Sequence, residues 1–150
     1  MFEIESKNPN EITIKTSTKT IIFDYVEGVI TADLSVGDIE GAGEFEIGEA
    51  TIRGISVANG TKTIYDVEIS GVHIGIIGDY DDNLDDLGIS DILCTSSVKA
   101  IKDIGPKLII ATGNIDGMVT ELKLATKVEK KIKIKKIEDL PNIQEVVVLN

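Results

Sequence analysis

Apolar and polar residues alternate through most of the first half of the chain. Phe2-Glu3-Ile4-Glu5 and Ile12-Thr13-Ile14-Lys15-Thr16 each have one apolar and one polar face, the period-two pattern of half-buried β-strands. Thr20-Ile21-Ile22-Phe23 is a continuous apolar run, which predicts a strand covered on both faces. Ser17-Thr18-Lys19 before it predicts a hairpin turn. Gly41-Ala42-Gly43 leads into another alternating run, Glu44 to Ile47, and Gly48-Glu49 turns the chain into Ala50 to Ile55. Asn59-Gly60 predicts a tight hairpin, because both central residues of a type I′ turn need positive φ. Thr63 to Ile69, a Ser70-Gly71 turn and Val72 to Ile77 complete a predicted β-meander with short links.

The pattern changes at Gly78. Asp79 to Asp86 is an acidic loop, and Ile89 to Cys94 predicts a short buried strand. Thr95-Ser96-Ser97 is suited to cap a helix through Val98, Ile101 and Ile104, with Gly105-Pro106 as its stop. Lys107 to Ala111 predicts a further buried strand. Met118, Leu122 and Ala125 recur at near-helical spacing, so a second helix is expected over Gly117 to Val128. Lys130 to Ile137 alternates with lysine on one face, Pro141 marks a turn, and Val146 to Leu149 reads as a strand. A sheet-rich first half followed by strand–helix–strand units predicts an α+β or layered α/β fold. No linker or repeat divides the chain, so a single domain over residues 1–150 is expected.

Composition narrows the chemistry. The chain has 150 residues, 42% hydrophobic and 27% charged, which is the balance of a globular protein with a real core. Lys+Arg is 15 against Asp+Glu 26, a net charge of -11, so a nucleic-acid partner is not expected. One His, one Cys and no Trp exclude an internal disulfide, a Cys-type zinc finger and any site needing several histidines. No apolar run is long enough for a signal peptide or a membrane span, so a cytoplasmic protein is expected, with no membrane partner. Gly41-Ala42-Gly43 lacks the third glycine and the helix of a dinucleotide fingerprint.

Six stretches occur in an order that resembles one family. They are Thr20 to Tyr25; Gly41 to Ile47 with Ile52-Arg53-Gly54-Ile55; Thr63 to Ile74 with Gly78-Asp79; Asp91-Ile92-Leu93; Pro106 to Ile110; and Lys133 to Leu149. Together they make residues 12–149 similar to the lactonase-like branch of the metallo-β-lactamase superfamily. The resemblance implies two packed β-sheets with few flanking helices, a reduced metallo-β-lactamase-like sandwich. Members of that family bind one or two metal ions that activate a water for attack.

The departures concern that chemistry. The family's H-x-H-x-D-H signature belongs in the interval Val26 to Glu40, which holds no His. The middle histidine loop falls on Cys94-Thr95-Ser96-Ser97, and a later ligand position falls on Gly113. Asp79, matching the family's "GD" carboxylate, is a vestigial ligand, and one carboxylate does not hold a catalytic zinc. The resemblance therefore implies the fold without the inherited reaction. The expected protein is non-catalytic, has no cofactor, and acts as a binding, scaffold or oligomerising module. Loss of a helix uncovers apolar sheet, so a homo-oligomer or a protein partner is expected. The six Asp of Asp79 to Asp91 and the lysine strand are candidates to meet across such an interface.

Rival readings attach to particular residues. Asp79, Asp81, Asn83 and Asp85 alternate like the first ligands of a calcium loop, which would suit a hard divalent cation. The sixth and twelfth positions, Leu84 and Ser90, break that pattern, and a solvated loop capping a turn from Asn83 to Leu87 is the plainer reading. A metal-dependent hydrolase with a rebuilt carboxylate site would draw on Asp79, Asp24, Asp81 and Asn114. A small-ligand sensor would use the vacated cleft. His73 is expected on the polar side of a strand, Cys94 in the core, and the lysine strand at a solvated sheet edge.

Overall fold

The computed structural model describes residues 1–8, 10–26, 29–34, 37–39, 43–112 and 121–149, with the backbone alone given over 25–39. The alternating runs become strands. They are β1 (Phe2–Glu5), β2 (Glu11–Lys15), β3 (Thr20–Val26), β4 (Val29–Leu34), β5 (Gly37–Ile39), β6 (Gly43–Ile47), β7 (Ala50–Val57), β8 (Lys62–Ile69) and β9 (Val72–Gly78). The second half adds β10 (Ile92–Thr95), α1 (Val98–Ile104), β11 (Leu108–Ala111), β12 (Ala125–Glu129), β13 (Lys131–Ile134) and β14 (Glu145–Leu149).

Two sheets result. The first is antiparallel, in the order β13-β1-β2-β3-β4-β5. The second has the order β12-β14-β11-β10-β9-β8-β7-β6, antiparallel from β6 to β9 and parallel from β9 to β12. Its parallel half has the near-continuous apolar strands that double-sided burial requires, as in Ile92-Leu93-Cys94 and Leu108-Ile109-Ile110. Phe2, Ile4, Ile14 and Phe23 of the first sheet meet Ile52, Tyr65 and Ile74 of the second in one core. The Phe23 and Tyr65 rings bridge the sheets with centroids 5.4 Å apart and planes tilted by 56°. A second core of Ile64, Ile77, Leu87, Leu93, Ile101 and Ile109 lies on the other face of the second sheet, beneath α1 and the segment 79–91. The architecture is a mixed α+β sandwich of two sheets with a helix on one side.

Several expectations need correction. Ile89 is 78% exposed and the strand expected from it starts at Ile92, because the segment before it crosses the outside of the sheet. The Asn59-Gly60 hairpin is wider than two residues. Val57 pairs with Lys62 around a loop in which Ala58, Asn59 and Gly60 all have positive φ. Within Thr20 to Phe23 only Ile21 and Phe23 are fully buried, while Ile22 is half-buried, so this run is covered mainly on one face. The second helix expected over 117–128 lies partly outside the described residues, and its end is a strand. Ala125–Glu129 pairs in parallel with β14, an edge position whose β-branched Thr126 and Val128 suit a pleated ladder. The lysine strand stops at Ile134. The chain then enters a 3₁₀ turn at Ile137–Asp139, where the Asp139 carboxylate accepts the N–H groups of Lys135 (2.8 Å) and Lys136 (3.2 Å). The short turn at Asp85–Leu87 has no side-chain cap, contrary to the capping role expected of its Asp residues. No described helix is long and apolar enough to cross a membrane.

Candidate functional site

The carboxyl ends of β9, β10 and β11 form one rim of the second sheet, and Asp79 stands there just after Gly78. Around it the chain satisfies its own polar groups. The Thr95 hydroxyl donates to the Gly78 carbonyl at 2.7 Å, and the Ser96 N–H donates to the same oxygen at 3.0 Å. The Ser97 N–H donates to the Thr95 hydroxyl at 3.0 Å. Ser97 is the N-cap of α1: its hydroxyl accepts the Ala100 N–H at 3.2 Å and donates to the Asp81 carboxylate at 2.6 Å. Gly105 ends the helix in the left-handed conformation that a residue with a Cβ adopts only at a cost. The Cys94-Thr95-Ser96-Ser97 segment is thus committed to closing the rim and starting a helix.

The residues singled out from the sequence do not converge on one ion. Asp79 is exposed, the Asp81 carboxylate is engaged by Ser97, and Asn83 is exposed with φ 48 in the loop that leaves the rim. Asp24 lies on β3 of the other sheet, and Asn114 and Gly113 lie outside the described residues. The Cys94 side chain faces the core between the sheets, where burial pushes its thiol far up. No group of three or more His, Cys, Asp or Glu placed to hold a metal ion occurs among the described residues. The interval Val26 to Glu40, where the resembled family carries its histidine motif, contains β4 and β5, which widen the first sheet.

His73 belongs to a different cluster, at the amino end of β9. The rise of a strand puts it about 17 Å from Gly78, far beyond what one ion spans. Its Nδ1 lies 3.2 Å and 3.3 Å from the two Asp66 carboxylate oxygens, and its Nε2 lies 3.8 Å from Glu68. Arg53 Nη2 lies 3.5 Å from Asp66 and donates to the Leu87 carbonyl at 3.0 Å. The His73 N–H donates to the Asp91 carboxylate at 2.9 Å. Burial pushes the Asp66 carboxyl up, while His73 and Arg53 pull it down. This cluster was not foreseen from the sequence. The two-residue turn at Ser70-Gly71 contained the signal, since it places Glu68 opposite His73 and Asp66 diagonal to it. Chemically the cluster clamps the segment 84–91 onto the sheet. A recess of about 780 Å³ opens beside it, lined by Asn83, Ser90, Asp91, Asp103 and Lys107, at the opposite end of the strands from Asp79.

Comparison with known proteins bears on the fold. No protein-family model matches the chain, and no curated protein does either. Among solved structures it is similar to a Thermotoga maritima protein provisionally named a Zn-dependent hydrolase of the metallo-β-lactamase superfamily. The two share 12% sequence identity with a TM-score of 0.73, over 99% of this chain and 99% of that one. At that identity the likeness speaks of the fold alone. The chain has a metallo-β-lactamase-type fold, and its described residues contain no metal-binding cluster.

Proposed function

We propose that the chain is a non-catalytic derivative of the metallo-β-lactamase fold, a single domain over residues 1–150 that works by binding protein, its own kind included. The observation that carries this reading is the rim beside Asp79. Its threonine and serine side chains bond to the chain itself, and the single His sits at the far end of β9. A catalytic zinc normally takes three protein ligands and an open position, and the described residues do not supply that set. A cytoplasmic location without nucleic-acid or membrane partners belongs to the same proposal and rests on the -11 charge and the absence of long apolar runs.

Metal analysis of protein purified without chelator tests the reading. Zinc, iron and manganese are expected well below one ion per chain, with Asp79→Ala indistinguishable from the parent. One ion per chain that disappears in Asp79→Ala would overturn it. That result would favour a hydrolase rebuilt around Asp79, Asp24, Asp81 and Asn114.

A further inference from the structure

β12 forms one border of the second sheet. All five residues of β12 are exposed, and its only partner among the described residues is β14 on one side. Among the described residues no strand pairs with its other side, which carries a row of backbone donors and acceptors. The register with β14 fixes which way each side chain points. Lys127 stands beside Val147, whose side chain belongs to the core between the sheets, so Lys127 and Glu129 point to the inner side. Val146 belongs to the outer core, so Thr126 and Val128 point to the outer side. Val128 is 62% exposed, and of the four exposed large apolar side chains among the described residues it alone lies in a strand.

We propose that two copies of this chain pair antiparallel along β12, about a two-fold axis through Val128. Charge matching favours that register, since an axis through Thr126 would set Lys127 against Ala125 with no charge pair inside the strand. About Val128, each Lys127 stands opposite the Glu129 of the other copy, and the two exposed valines stand opposite each other. About Lys127 the strand would set lysine against lysine, and about Glu129 it would set glutamate against glutamate. Opposite charges across a strand pair stabilise and like charges do the reverse. Inward-pointing charges on an edge normally repel an added strand, but here they are matched by inversion, so an unrelated strand is rejected and a second copy is accepted. The contact is isologous and closes at two chains. The opposite border, β6, carries exposed Glu44 and Glu46, which oppose a matching β6 contact. The border of the first sheet at β13 has Lys131 and Lys133 engaged with Glu3 at 3.6 Å and 3.8 Å, and Lys127 of β12 itself lies 3.3 Å from Glu145 while staying exposed to a second carboxylate.

The proposal supplies the partner for the binding role proposed above, and its test is independent of metal content. Light scattering on size-exclusion peaks is expected to give a dimer. Glu129→Lys, which sets lysine against lysine on both sides of the axis, is expected to raise the dissociation constant at least tenfold with an unchanged circular dichroism spectrum. Register is read by oxidation. Val128→Cys brings two thiols face to face across the axis, within disulfide reach, whereas Thr126→Cys leaves them about 13 Å apart along the strands. The native Cys94 is buried and does not compete. A linked dimer is expected for Val128→Cys and not for Thr126→Cys. A monomer at high concentration, open-ended polymers, equal linking of both variants, or a Glu129→Lys protein that stays dimeric would each overturn the proposal.

Discussion

Gly75 and Ser90 make a steric and polar conflict whose size is open to measurement. Gly75 lies in mid-strand on β9 with no positive φ, so its backbone accepts alanine. The space does not. A Cβ there would lie 2.6 Å from Ser90 Oγ, 2.9 Å from Leu93 Cδ1 and 3.3 Å from Leu87 Cδ2. Ser90 is 4% exposed, and its hydroxyl has no hydrogen-bond partner among the described residues. Gly75→Ala alone should therefore cost about 2 kcal/mol through overpacking. Ser90→Ala alone should stabilise by about 1 kcal/mol, because it removes a buried hydroxyl that gave up water for nothing. Together the two changes should be less harmful than their sum. The nearest obstacle is then the tip of Leu93, which can swing, and a coupling of about 1 kcal/mol is expected. Urea unfolding of the four proteins measures this, and for a chain of this size each kcal/mol moves the melting temperature by about 2–4 °C. Two results would refute the reasoning. A Ser90→Ala protein less stable than the parent would mean that the hydroxyl is satisfied, and strict additivity would mean that Ser90 is not what Gly75 avoids.

Two further outcomes follow from the caps. Ser97→Ala removes both the cap of α1 and the anchor of Asp81, and should lower stability by about 1–2 kcal/mol in denaturant titration. Asp139 accepts two backbone N–H groups, which hold its carboxyl below the ordinary 3.8. A depressed carboxyl stabilises above its unfolded value and loses that effect as pH falls through the folded one. The melting temperature of Asp139→Asn should therefore fall below that of the parent at neutral pH, and the gap should close as the pH drops below 3.8.

Much of the fold was legible because one-sided burial writes itself as alternation. Phe2 to Glu5 and Glu44 to Ile47 are strands for that reason. The serine cap and glycine stop of α1 were legible because both answer local backbone needs. The border strand β12 was not legible, since a strand with no buried face has no alternation to show. There the helical spacing of Met118, Leu122 and Ala125 ran on past Glu121 and Leu122, which are helical, into residues that form a strand. The strands β4 and β5 were missed too, in the interval read only for its want of histidine. At the candidate site, sequence order identified Asp79 as isolated. It did not reveal that Asp81 is occupied by Ser97, nor that His73 is tied to Asp66. Both are contacts between residues whose separation in the chain only the finished sheet collapses.

The pairing of β1 with β13 sets a timetable for the growing chain. Phe2 stands opposite Ile134, so β1 waits for a strand made long after it before its sheet is complete. Until then β1 is a bare flank, with Glu3 lacking the two lysines that face it in the finished fold. Contacts of such long range close slowly, because the loop entropy is spent before the contact forms. A nascent chain released before β13 emerges would therefore expose the flank of its first sheet, and β13 acts as a lock on a structure begun long before it is made.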